Sequence, residues 1–590
     1  MIHIIPSVKQ MEIMTGFLEK KAIFFENREA DYRLVSAIKK LPYSNDGVEL
    51  KVQITGGSSQ AYELWIEKAE IRIRAAESVG AFYAIQTLRQ IFMHDKVPCL
   101  YIKDKPDFEY RGFYQDVTRG KIPTVATIKN LIDRMAYFKL NSLQIYVEYA
   151  FEFEECKELN ETLGYLSKEE IRELDAYCKD NFIEFIPSLA TFGHMYDLLQ
   201  QDEYKHLRVL KDYEEIPNVW HSRTYHHTID PLNEESIRLI KSLVDQFSPL
   251  FESENFNICC DETFDLKQYG EQGFDVGELY SDFVTQIITH LQKKGKKVMM
   301  WADVLLEHPE VIEKLPKEVC LLHWSYKENP TEDKIRRLAQ MERKLIVCSG
   351  TTTWERLCEH VDTEEKNISR IAEYAYRHGA SGLLNTNWGD YGNPCSLELA
   401  MYGMVLGAAK AWAPQMDLNE DFYQAVNFLL YESEHGVQFL KQLSKLHEGI
   451  SWKAFCRNYY NYRFESQEKY EEVTEKDIEE IQNTYSRLAE QLLEEKWIQD
   501  DYRQEMLSSA EGLCVLAELS EKMKSHDLKR MTNTRKWLEQ YRKNWMLKNK
   551  PSELWRIEDM LLYCEEEWEY LPQKDDCICS TIKEKKGGRL

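Results

Sequence analysis

Hydrophobic and polar positions alternate in two short segments near the start of the chain, residues 62–66 and residues 70–74. A period of two is typical of half-buried strands, and two such segments in succession indicate a hairpin. The next segment, residues 78–93, instead spaces its apolar side chains along one helical face. We therefore expect residues 1–105 to form a small α+β domain.

From residue 106 the pattern changes to short apolar runs separated by amphipathic segments such as residues 128–138 and 168–181. The eight runs lie at residues 112–114, 142–146, 185–187, 256–258, 298–301, 319–322, 345–348 and 382–384. Eight strand–helix units predict an α/β fold, a (β/α)8 TIM barrel, over residues 106–415. An open doubly wound sheet is the alternative, but no glycine-rich phosphate fingerprint follows any run.

Strand signals end near residue 415. Residues 416–590 run as helical segments rich in Glu, Lys, Leu and Tyr, for example residues 475–499. This pattern predicts an α-helical C-terminal domain packed beside the barrel. Its apolar faces suit either of two roles, capping the barrel or forming a homodimer, and the pattern alone does not choose between them.

Charge and composition restrict the possible partners and location. The formal net charge of −25 repels phosphates, so we expect no nucleic-acid partner and no anionic membrane. No segment approaches the roughly 18 uninterrupted apolar residues of a membrane span. Residues 1–6 lack a basic region followed by a long apolar run, which argues against a signal peptide. The 14 cysteines show no paired zinc spacing, so free thiols in the cytoplasm are expected.

One apolar run, residues 256–258, ends in two adjacent carboxylates, Asp261 and Glu262. An extended backbone points neighbouring side chains to opposite faces, so the two acids converge only if the chain leaves the strand there. The carboxyl ends of barrel strands allow such a turn and are where barrel enzymes place their chemistry.

The other predicted strand ends carry a consistent set of side chains. In chain order they are Asp116, Arg119, Glu148, His194, Trp301, His323, Trp324, Tyr326, Trp354, Trp388 and Asp390. Carboxylates, an arginine and several tryptophans suit a glycan pocket. The set lacks the Ser-His pair or reactive thiol of acyl transfer and the ligand cluster of a metal site. The 13 Trp, 34 Tyr and 24 Phe also suit sugar recognition, although aromatic cores explain most of them.

These motifs resemble the β-N-acetylhexosaminidases of glycoside hydrolase family 20 over roughly the first 400 residues. Residues 78–90 resemble the helix of that family's small N-terminal domain. Residues 110–119 resemble its first barrel strand, residues 137–141 the approach to its second strand, and residues 387–390 its last-strand tryptophan and acid. The long helical C-terminus resembles a bacterial, non-secreted branch of the family.

The resemblance implies an exo-acting enzyme that removes a terminal GlcNAc or GalNAc without a cofactor or metal. In that family the substrate itself supplies the nucleophile, which makes it an exception to the usual pair of catalytic carboxylates. Glu262 would protonate the glycosidic oxygen while the 2-acetamido oxygen attacks C1 and forms an oxazolinium ion. Asp261 would accept a hydrogen bond from the acetamido N–H, and its charge should raise the pKa of Glu262.

The resemblance also implies roles for the other strand-end residues. Arg119 would donate to the 3- and 4-hydroxyls, with an ion pair to Asp116 as the alternative. Asp390 would bind the 4- or 6-hydroxyl, with a simple turn residue as the alternative. Three tryptophans would surround the acetamido methyl group and stack under the ring: Trp301, Trp324 and Trp388.

The sequence departs from the family pattern at several positions. Ala190 replaces the aspartate that usually pairs with His194, so a buried core histidine is the alternative for His194. Glu148 begins a segment that replaces the usual acid pair after the second strand. Trp354 stands where a tyrosine usually grips the acetamido carbonyl, and Tyr326 is the nearest substitute.

Two other functions remain open at this point. A retaining β-glycosidase acting on a sugar without the acetamide would need a second carboxylate about 5 Å from Glu262, and Glu148 is the residue available. A carbohydrate-binding pseudoenzyme is the other. A metal site at His221, His226 and His227 is disfavoured because adjacent histidines diverge and no acidic partner has helical spacing to them.

Overall fold

The computed structural model describes residues 2–26, 31–212, 219–224, 227–464, 478–496, 499–525 and 532–566. The N-terminal domain is a six-stranded sheet in the order β1-β6-β4-β5-β3-β2, covered by two helices. Its strands are β1 (Gln10–Phe17), β2 (Ile23–Phe24), β3 (Val48–Ile54), β4 (Tyr62–Ile66), β5 (Glu70–Ala75) and β6 (Pro98–Asp104), and its helices are α1 (Tyr32–Ile38) and α2 (Ser78–Ile91). The predicted hairpin is confirmed, because β4 and β5 pair antiparallel.

Eight parallel strands close into a barrel. They are β7 (Tyr110–Asp116), β8 (Ser142–Val147), β9 (Glu184–Leu189), β10 (Asn255–Asn257), β11 (Lys297–Trp301), β12 (Cys320–Trp324), β13 (Leu345–Gly350) and β14 (Gly382–Asn387). The last strand pairs with the first, from Gly382 opposite Tyr110 to Asn387 opposite Gln115. Each predicted apolar run overlaps one of these strands, and closure excludes the open-sheet alternative.

Helices surround the barrel strands. They are α3 (Val125–Tyr137), α4 (Lys157–Leu163), α5 (Lys168–Asp180), α6 (Tyr196–Gln200), α7 (Val219–Thr224), α8 (Glu234–Phe247), α9 (Lys267–Glu271), α10 (Val276–Lys293), α11 (Asp303–Glu307), α12 (Pro309–Lys314), α13 (Glu332–Ala339), α14 (Val361–Arg377) and α15 (Met401–Trp412). The start of α5 is fixed by a capping box, in which the side chains of Ser167 and Glu170 each accept the other's backbone N–H.

The C-terminal region is helical, as predicted. It contains α16 (Glu420–Val426), a π-helical turn (Asn427–Tyr431), α17 (Gly436–His447), α18 (Trp452–Phe464), α19 (Ile478–Glu494), α20 (Asp500–Ser525), α21 (Thr534–Lys548) and α22 (Leu554–Glu566). Within the predicted segment 475–499, residues 475–477 and 497–498 lie outside the described ranges. Trp452 donates from Nε1 to the carbonyl of Tyr391 at 2.9 Å, and Ser552 donates to the carbonyl of Gly120 at 2.7 Å. These helices therefore pack on the barrel end that carries the site.

Within the described ranges, no helix combines the length and apolar character needed to cross a bilayer. The twelve cysteines in those ranges are free thiols, and all of them are buried. The predicted fold class, a TIM barrel between a small N-terminal domain and a helical C-terminal region, is confirmed, whereas the homodimer remains a prediction.

Candidate active site

Two adjacent carboxylates converge because the backbone leaves the extended conformation just after β10. Cys259, Cys260 and Glu262 adopt left-handed φ angles of 57°, 64° and 48°. Such angles cost a non-glycine residue roughly 1 kcal/mol each, so the surroundings have to hold them. As a result Asp261 and Glu262 meet at one imidazole, since Nε2 of His194 lies 3.2 Å from Oδ2 of Asp261 and 3.5 Å from Oε2 of Glu262.

Neighbouring elements hold this bend in place. The hydroxyl of Tyr280 on α10 donates to the carbonyl of Cys260 at 2.7 Å. The backbone N–H of Glu262 donates to Oδ2 of Asp303 at 2.9 Å. Burial, followed by the charge of Asp261, raises the pKa of Asp303 to about 8. A third carboxyl, largely protonated at neutral pH, therefore adjoins Asp261 and Glu262.

His194 joins the acids to an arginine. A side chain on Gly193 would place its Cβ 2.4 Å from the carbonyl oxygen of Asp261, so the two loops approach closely only because that residue is glycine. Nδ1 of His194 lies 3.0 Å from Nη2 of Arg119. Burial lowers the pKa of His194 and Arg119 opposes a proton on it, but Asp261 and Glu262 outweigh both and raise the pKa to about 10. Position 190 carries alanine instead of the aspartate expected to pair with His194. Another loop thus supplies the carboxylate partners of this histidine.

Arg119 is gripped by carboxylates on both sides. Its Nε donates to Oε1 of Glu148 at 3.1 Å, and its Nη1 donates to Oδ1 of Asp390 at 2.8 Å. Asp116 is 3.8 Å from Nε, and its oxygens instead accept backbone N–H groups, among them that of Gly389 at 3.1 Å. The ion pair with Asp116 is therefore present but long, while the shorter contacts of Arg119 go to Glu148 and Asp390, so Asp390 is more than a turn residue.

The predicted aromatic residues form one wall. Trp388 donates from Nε1 to the hydroxyl of Tyr326 at 2.7 Å, and its ring lies 6.1 Å from that of Trp301. Tyr326 stacks on Trp324 at 5.3 Å with an interplanar angle of 14°, and its ring is 5.2 Å from that of Trp354. The ring of Trp388 also faces the guanidinium of Arg119 at 5.2 Å. Apart from His323, the predicted strand-end residues therefore belong, with Asp261 and Glu262, to one continuous set of contacts.

Room for this wall is created by a glycine at the end of β13. A Cβ on Gly350 would lie 2.9 Å from the ring of Tyr326 and 3.0 Å from that of Trp354. Tyr326 reaches the wall from the strand next to the one where the tyrosine was expected. The missing side chain on Gly350 thus leaves the space that the rings of Tyr326 and Trp354 occupy.

Solvent reaches the site at Glu262 and Asp390. Their side chains are 25% and 28% exposed, against 10% for Asp261 and 8% for Arg119. Glu262 thus stands at the mouth of the site, whereas Arg119 is more deeply buried. His323 precedes Trp324 on β12 and so points to the other side of the strand, away from the aromatic wall; burial lowers its pKa to about 4.

Sequence reasoning missed two residues that touch this machinery. Tyr146 donates to Oε1 of Glu148 at 2.8 Å, and Asp303 holds the backbone of Glu262. Each lies two positions from a residue that was found, Tyr146 before Glu148 and Asp303 after Trp301. Side chains two apart on a strand share a face. That period was the available signal for Tyr146 on β8, whereas Asp303 begins α11, beyond the end of β11.

The described residues offer one group with the composition of a metal site: His194, Asp261 and Glu262, whose ligand atoms lie within 4.8 Å of one another. A cation there would compete with the proton on Nε2 and would stand close to the guanidinium of Arg119. The charges fit a hydrogen-bonded trio better than a metal centre. Of the loop histidines, His226 lies outside the described residues.

Comparison with known proteins gives this geometry a context. The model of "Glycosyl hydrolase family 20, catalytic domain" matches residues 108–421, and that of "Glycosyl hydrolase family 20, domain 2" matches residues 2–105. A beta-hexosaminidase of Porphyromonas gingivalis is 28% identical over 284 residues, covering 42% of this chain and 36% of that protein. A beta-hexosaminidase of Vibrio furnissii is 23% identical over 372 residues, covering 54% of this chain and 57% of that protein. The chain thus matches less than two thirds of the length of either relative.

A solved structure extends the likeness to the whole fold. The chitobiase of Flavobacterium johnsoniae superposes with a TM-score of 0.61 at 18% identity, and the match covers 95% of this chain and 99% of that one. At such identity the superposition shows a shared architecture. It includes the helical C-terminal region, which lies beyond the part covered by the two family models.

Proposed function

The chain belongs to glycosyl hydrolase family 20, and we propose that it is an exo-acting β-N-acetylhexosaminidase that removes a terminal β-linked GlcNAc or GalNAc from a glycan. The observation that carries the proposal is the state of Asp261. Its Oδ2 faces His194, while no donor among the described residues reaches its buried Oδ1. A buried carboxylate oxygen without a partner is costly, and the acetamido N–H of a bound sugar would satisfy it.

Bond cleavage would use the two acids in different ways. Glu262, at the mouth, donates its proton to the glycosidic oxygen as the bond to C1 breaks. The carbonyl oxygen of the 2-acetamido group attacks C1 and closes an oxazolinium ring. Asp261 orients that group and stabilises the positive charge that develops on it.

Hydrolysis completes the cycle with retained configuration. Glu262, now ionised, takes a proton from a water molecule that attacks C1 and reopens the ring. His194 supports both steps as a positioning residue, because its imidazole fixes Asp261 and faces Glu262 at the same nitrogen.

The base of the site would bind the non-reducing end of the sugar. Arg119 and Asp390 are fixed to each other at 2.8 Å and present donors and acceptors for hydroxyl groups. The aromatic wall beside them, which includes Trp301 and Trp388, would cover the ring and the acetamido methyl group.

The contacts of Glu148 weigh against a covalent mechanism. Its Oε1 accepts hydrogen bonds from Arg119 and Tyr146. This carboxylate therefore holds the arginine in place, which disfavours it as a nucleophile. The pseudoenzyme alternative is disfavoured because Asp261, Glu262 and Arg119 are all present and in contact through His194. The cytoplasmic location remains part of the proposal, supported by the free thiols described above.

A substrate panel tests the proposed function. Purified protein is assayed with chromogenic β-GlcNAc, β-GalNAc and β-glucose glycosides, and we expect hydrolysis of one or both acetamido sugars. Inhibition by a GlcNAc-thiazoline, which mimics the oxazolinium ring, should accompany it. Hydrolysis of the glucoside alone would contradict the mechanism, and binding of GlcNAc without turnover of any glycoside would support the pseudoenzyme.

A further inference from the structure

A cavity of about 360 Å³ lies where the three parts of the chain meet. It is bounded by the segment after α1 and the end of α2, by the last turn of α3, and by the π-helical turn and the residue before α20. The last turn of α3 leads into the start of β8, whereas the candidate active site lies at the strand ends. This space, the junction cavity, is therefore separate from the site described above.

Arg89 supplies the junction cavity with a partly buried cation. Its Nη1 donates to Oε1 of Gln86 at 2.7 Å, and its guanidinium lies over the ring of Tyr137 at 4.9 Å. Among the residues that the structure describes, no carboxylate forms an ion pair with Arg89. Burial lowers the pKa of Arg89 by more than Tyr137 and Asp133 raise it. A guanidinium withdrawn from water without a counter-ion is unfavourable, and a bound anion would compensate for it.

Asp133 also lines the junction cavity, but its carboxylate is bound by other groups. Its Oδ1 accepts a hydrogen bond from Nζ of Lys40 at 2.7 Å, and its Oδ2 accepts one from the hydroxyl of Tyr177 at 3.0 Å. Asp133 therefore balances the charge of Lys40. Nε and Nη2 of Arg89 donate to no residue in the described part of the chain.

Arg134 adds a second guanidinium that has no carboxylate partner within the described ranges. Its Nη2 donates to Oε1 of Gln499 at 2.9 Å, and its guanidinium lies 5.0 Å from the ring of Tyr502. Gln499 donates in turn from Nε2 to Oε1 of Glu432 at 2.8 Å, so a neutral amide stands between this acid and Arg134. Three cations and two carboxylates line the cavity, which gives it a positive balance in a chain whose net charge is −25.

We propose that the junction cavity binds a small organic molecule through an oxyanion, a phosphate or a carboxylate group, held by Nε and Nη2 of Arg89. These two donors lie side by side on the planar guanidinium and match two oxygens of either group. Leu41, Phe92 and Leu429 supply apolar surface for the organic part. The volume is within the range of small-molecule sites. The inference does not depend on the proposed function.

Isothermal titration calorimetry on the full chain tests the junction cavity with four probes at matched ionic strength: glucose 6-phosphate, glucuronate, inorganic phosphate and glucose. We expect at least one of the two charged sugars to bind with a Kd below about 1 mM, and more tightly than glucose or inorganic phosphate. Arg89→Gln removes the charge and should weaken this binding by about tenfold or more. Arg89→Lys should recover part of the loss, because it keeps the charge without the paired donors.

Arg72 provides the matched control. Its guanidinium also lies over an aromatic ring of the N-terminal domain, that of Trp65 at 5.4 Å, and it does not line the junction cavity. Arg72→Gln makes the same change of net charge and should keep the wild-type Kd. Thermal melting of each variant checks that the fold is intact.

A measurement on the wild-type chain keeps the test decisive if an Arg89 variant fails to fold. Phenylglyoxal modifies accessible guanidinium groups, and peptide mass mapping then reports the rate at each arginine. The charged sugar that binds should slow the modification of Arg89 severalfold and leave that of Arg72 unchanged.

The outcomes separate an anion site from a simple gap between domains. Tighter binding of glucose 6-phosphate or of glucuronate supports the inference and identifies the oxyanion. The inference is overturned if neither charged sugar binds, or if glucose binds equally well. Equal affinity for inorganic phosphate would also overturn it, because the organic part would then contribute nothing. An unchanged Kd for Arg89→Gln, or an unprotected Arg89, would place the anion elsewhere. None of these results depends on hydrolysis of a glycoside, so the proposed function is tested separately.

Discussion

Nε2 of His194 lies 3.2 Å from Oδ2 of Asp261, and this contact takes the place of the histidine–aspartate pair that Ala190 removes. The same ring meets Arg119 through its other nitrogen at 3.0 Å. One imidazole therefore connects the acid that would hold the acetamido group with the cation that would hold the hydroxyls. Both contacts go to other residues of the candidate site, which favours a role there over that of a core histidine.

Replacing His194 by Ala should lower kcat by on the order of 100-fold, because Asp261 and Arg119 would lose the group that orients them. His194→Gln should recover part of the loss, since its amide nitrogen can donate to Asp261 as Nε2 does. Steady-state kinetics on an aryl β-GlcNAc glycoside measure both variants. Full activity of the His194→Ala variant would show that His194 is only a core histidine.

The two carboxylates should respond differently to the leaving group. Glu262→Gln removes the general acid, so we expect a loss of roughly 100- to 10,000-fold on a disaccharide and a much smaller loss on a glycoside whose phenolate leaves without a proton. Asp261→Asn removes charge stabilisation and should cost roughly 100- to 1,000-fold on both. The comparison of kcat/KM across leaving groups checks the assignment, and a similar profile for the two variants would contradict it.

The barrel was predictable because buried parallel strands leave a strong signature. Short continuous apolar runs between amphipathic helices mark each strand, and the strand ends then locate Arg119, Trp301 and Trp388 without any knowledge of contacts. The N-terminal hairpin was equally visible from its period of two.

The bend at the catalytic pair could not be read from the sequence. Left-handed backbone is usually signalled by glycine, whereas this chain places Cys259 and Cys260 there. The support from Asp303 depends on how the loops after β10 and β11 face each other, which is set by barrel closure. Likewise, the pattern of an amphipathic helix shows which face is buried but not what covers that face. The sequence therefore could not predict how the C-terminal helices pack.

Asp303 should make the stability of the fold depend on pH. Its pKa rises from 3.8 to about 8 through burial and the charge of Asp261, so ionising it costs the folded state more than the unfolded state. The stability that Asp303 contributes is fully present below its pKa in the unfolded chain and is lost as the pH rises toward 8. Asp303→Asn keeps an oxygen that can accept a hydrogen bond from the backbone N–H of Glu262, but the amide side chain cannot ionise.

The free energy of unfolding of Asp303→Asn relative to wild type should therefore increase from about pH 4 to about pH 8, the interval between the two pKa values. Urea titrations at several pH values measure the difference. Asp303→Ala serves as the control that removes the acceptor as well. A difference independent of pH would show that Asp303 is ionised throughout.

A buried ion cluster joins the barrel to the C-terminal domain. Arg223 on α7 donates to Asp197 at 2.8 Å and to both oxygens of Glu553, at 2.8 and 2.7 Å. Burial alone would raise the pKa of Glu553, but Arg223 and Arg556 outweigh it and lower the pKa to about 2. A lowered pKa stabilises the fold above the unfolded value of 4.5, and this contribution is lost as the pH falls toward 2.

Glu553→Gln should destabilise the fold by roughly 3–5 kcal/mol at neutral pH, because it leaves part of the Arg223 charge unpaired in the interior. The gap to wild type should narrow below pH 4.5, as Glu553 itself becomes protonated in the unfolded chain.

The cluster also bears on the site, since Trp220 on the same helix packs against Gly392, two residues after Asp390. If the C-terminal helices cap the barrel, the Glu553→Gln variant should lose kcat/KM as well as stability. Unfolding of those helices with full activity retained would show that they serve another purpose.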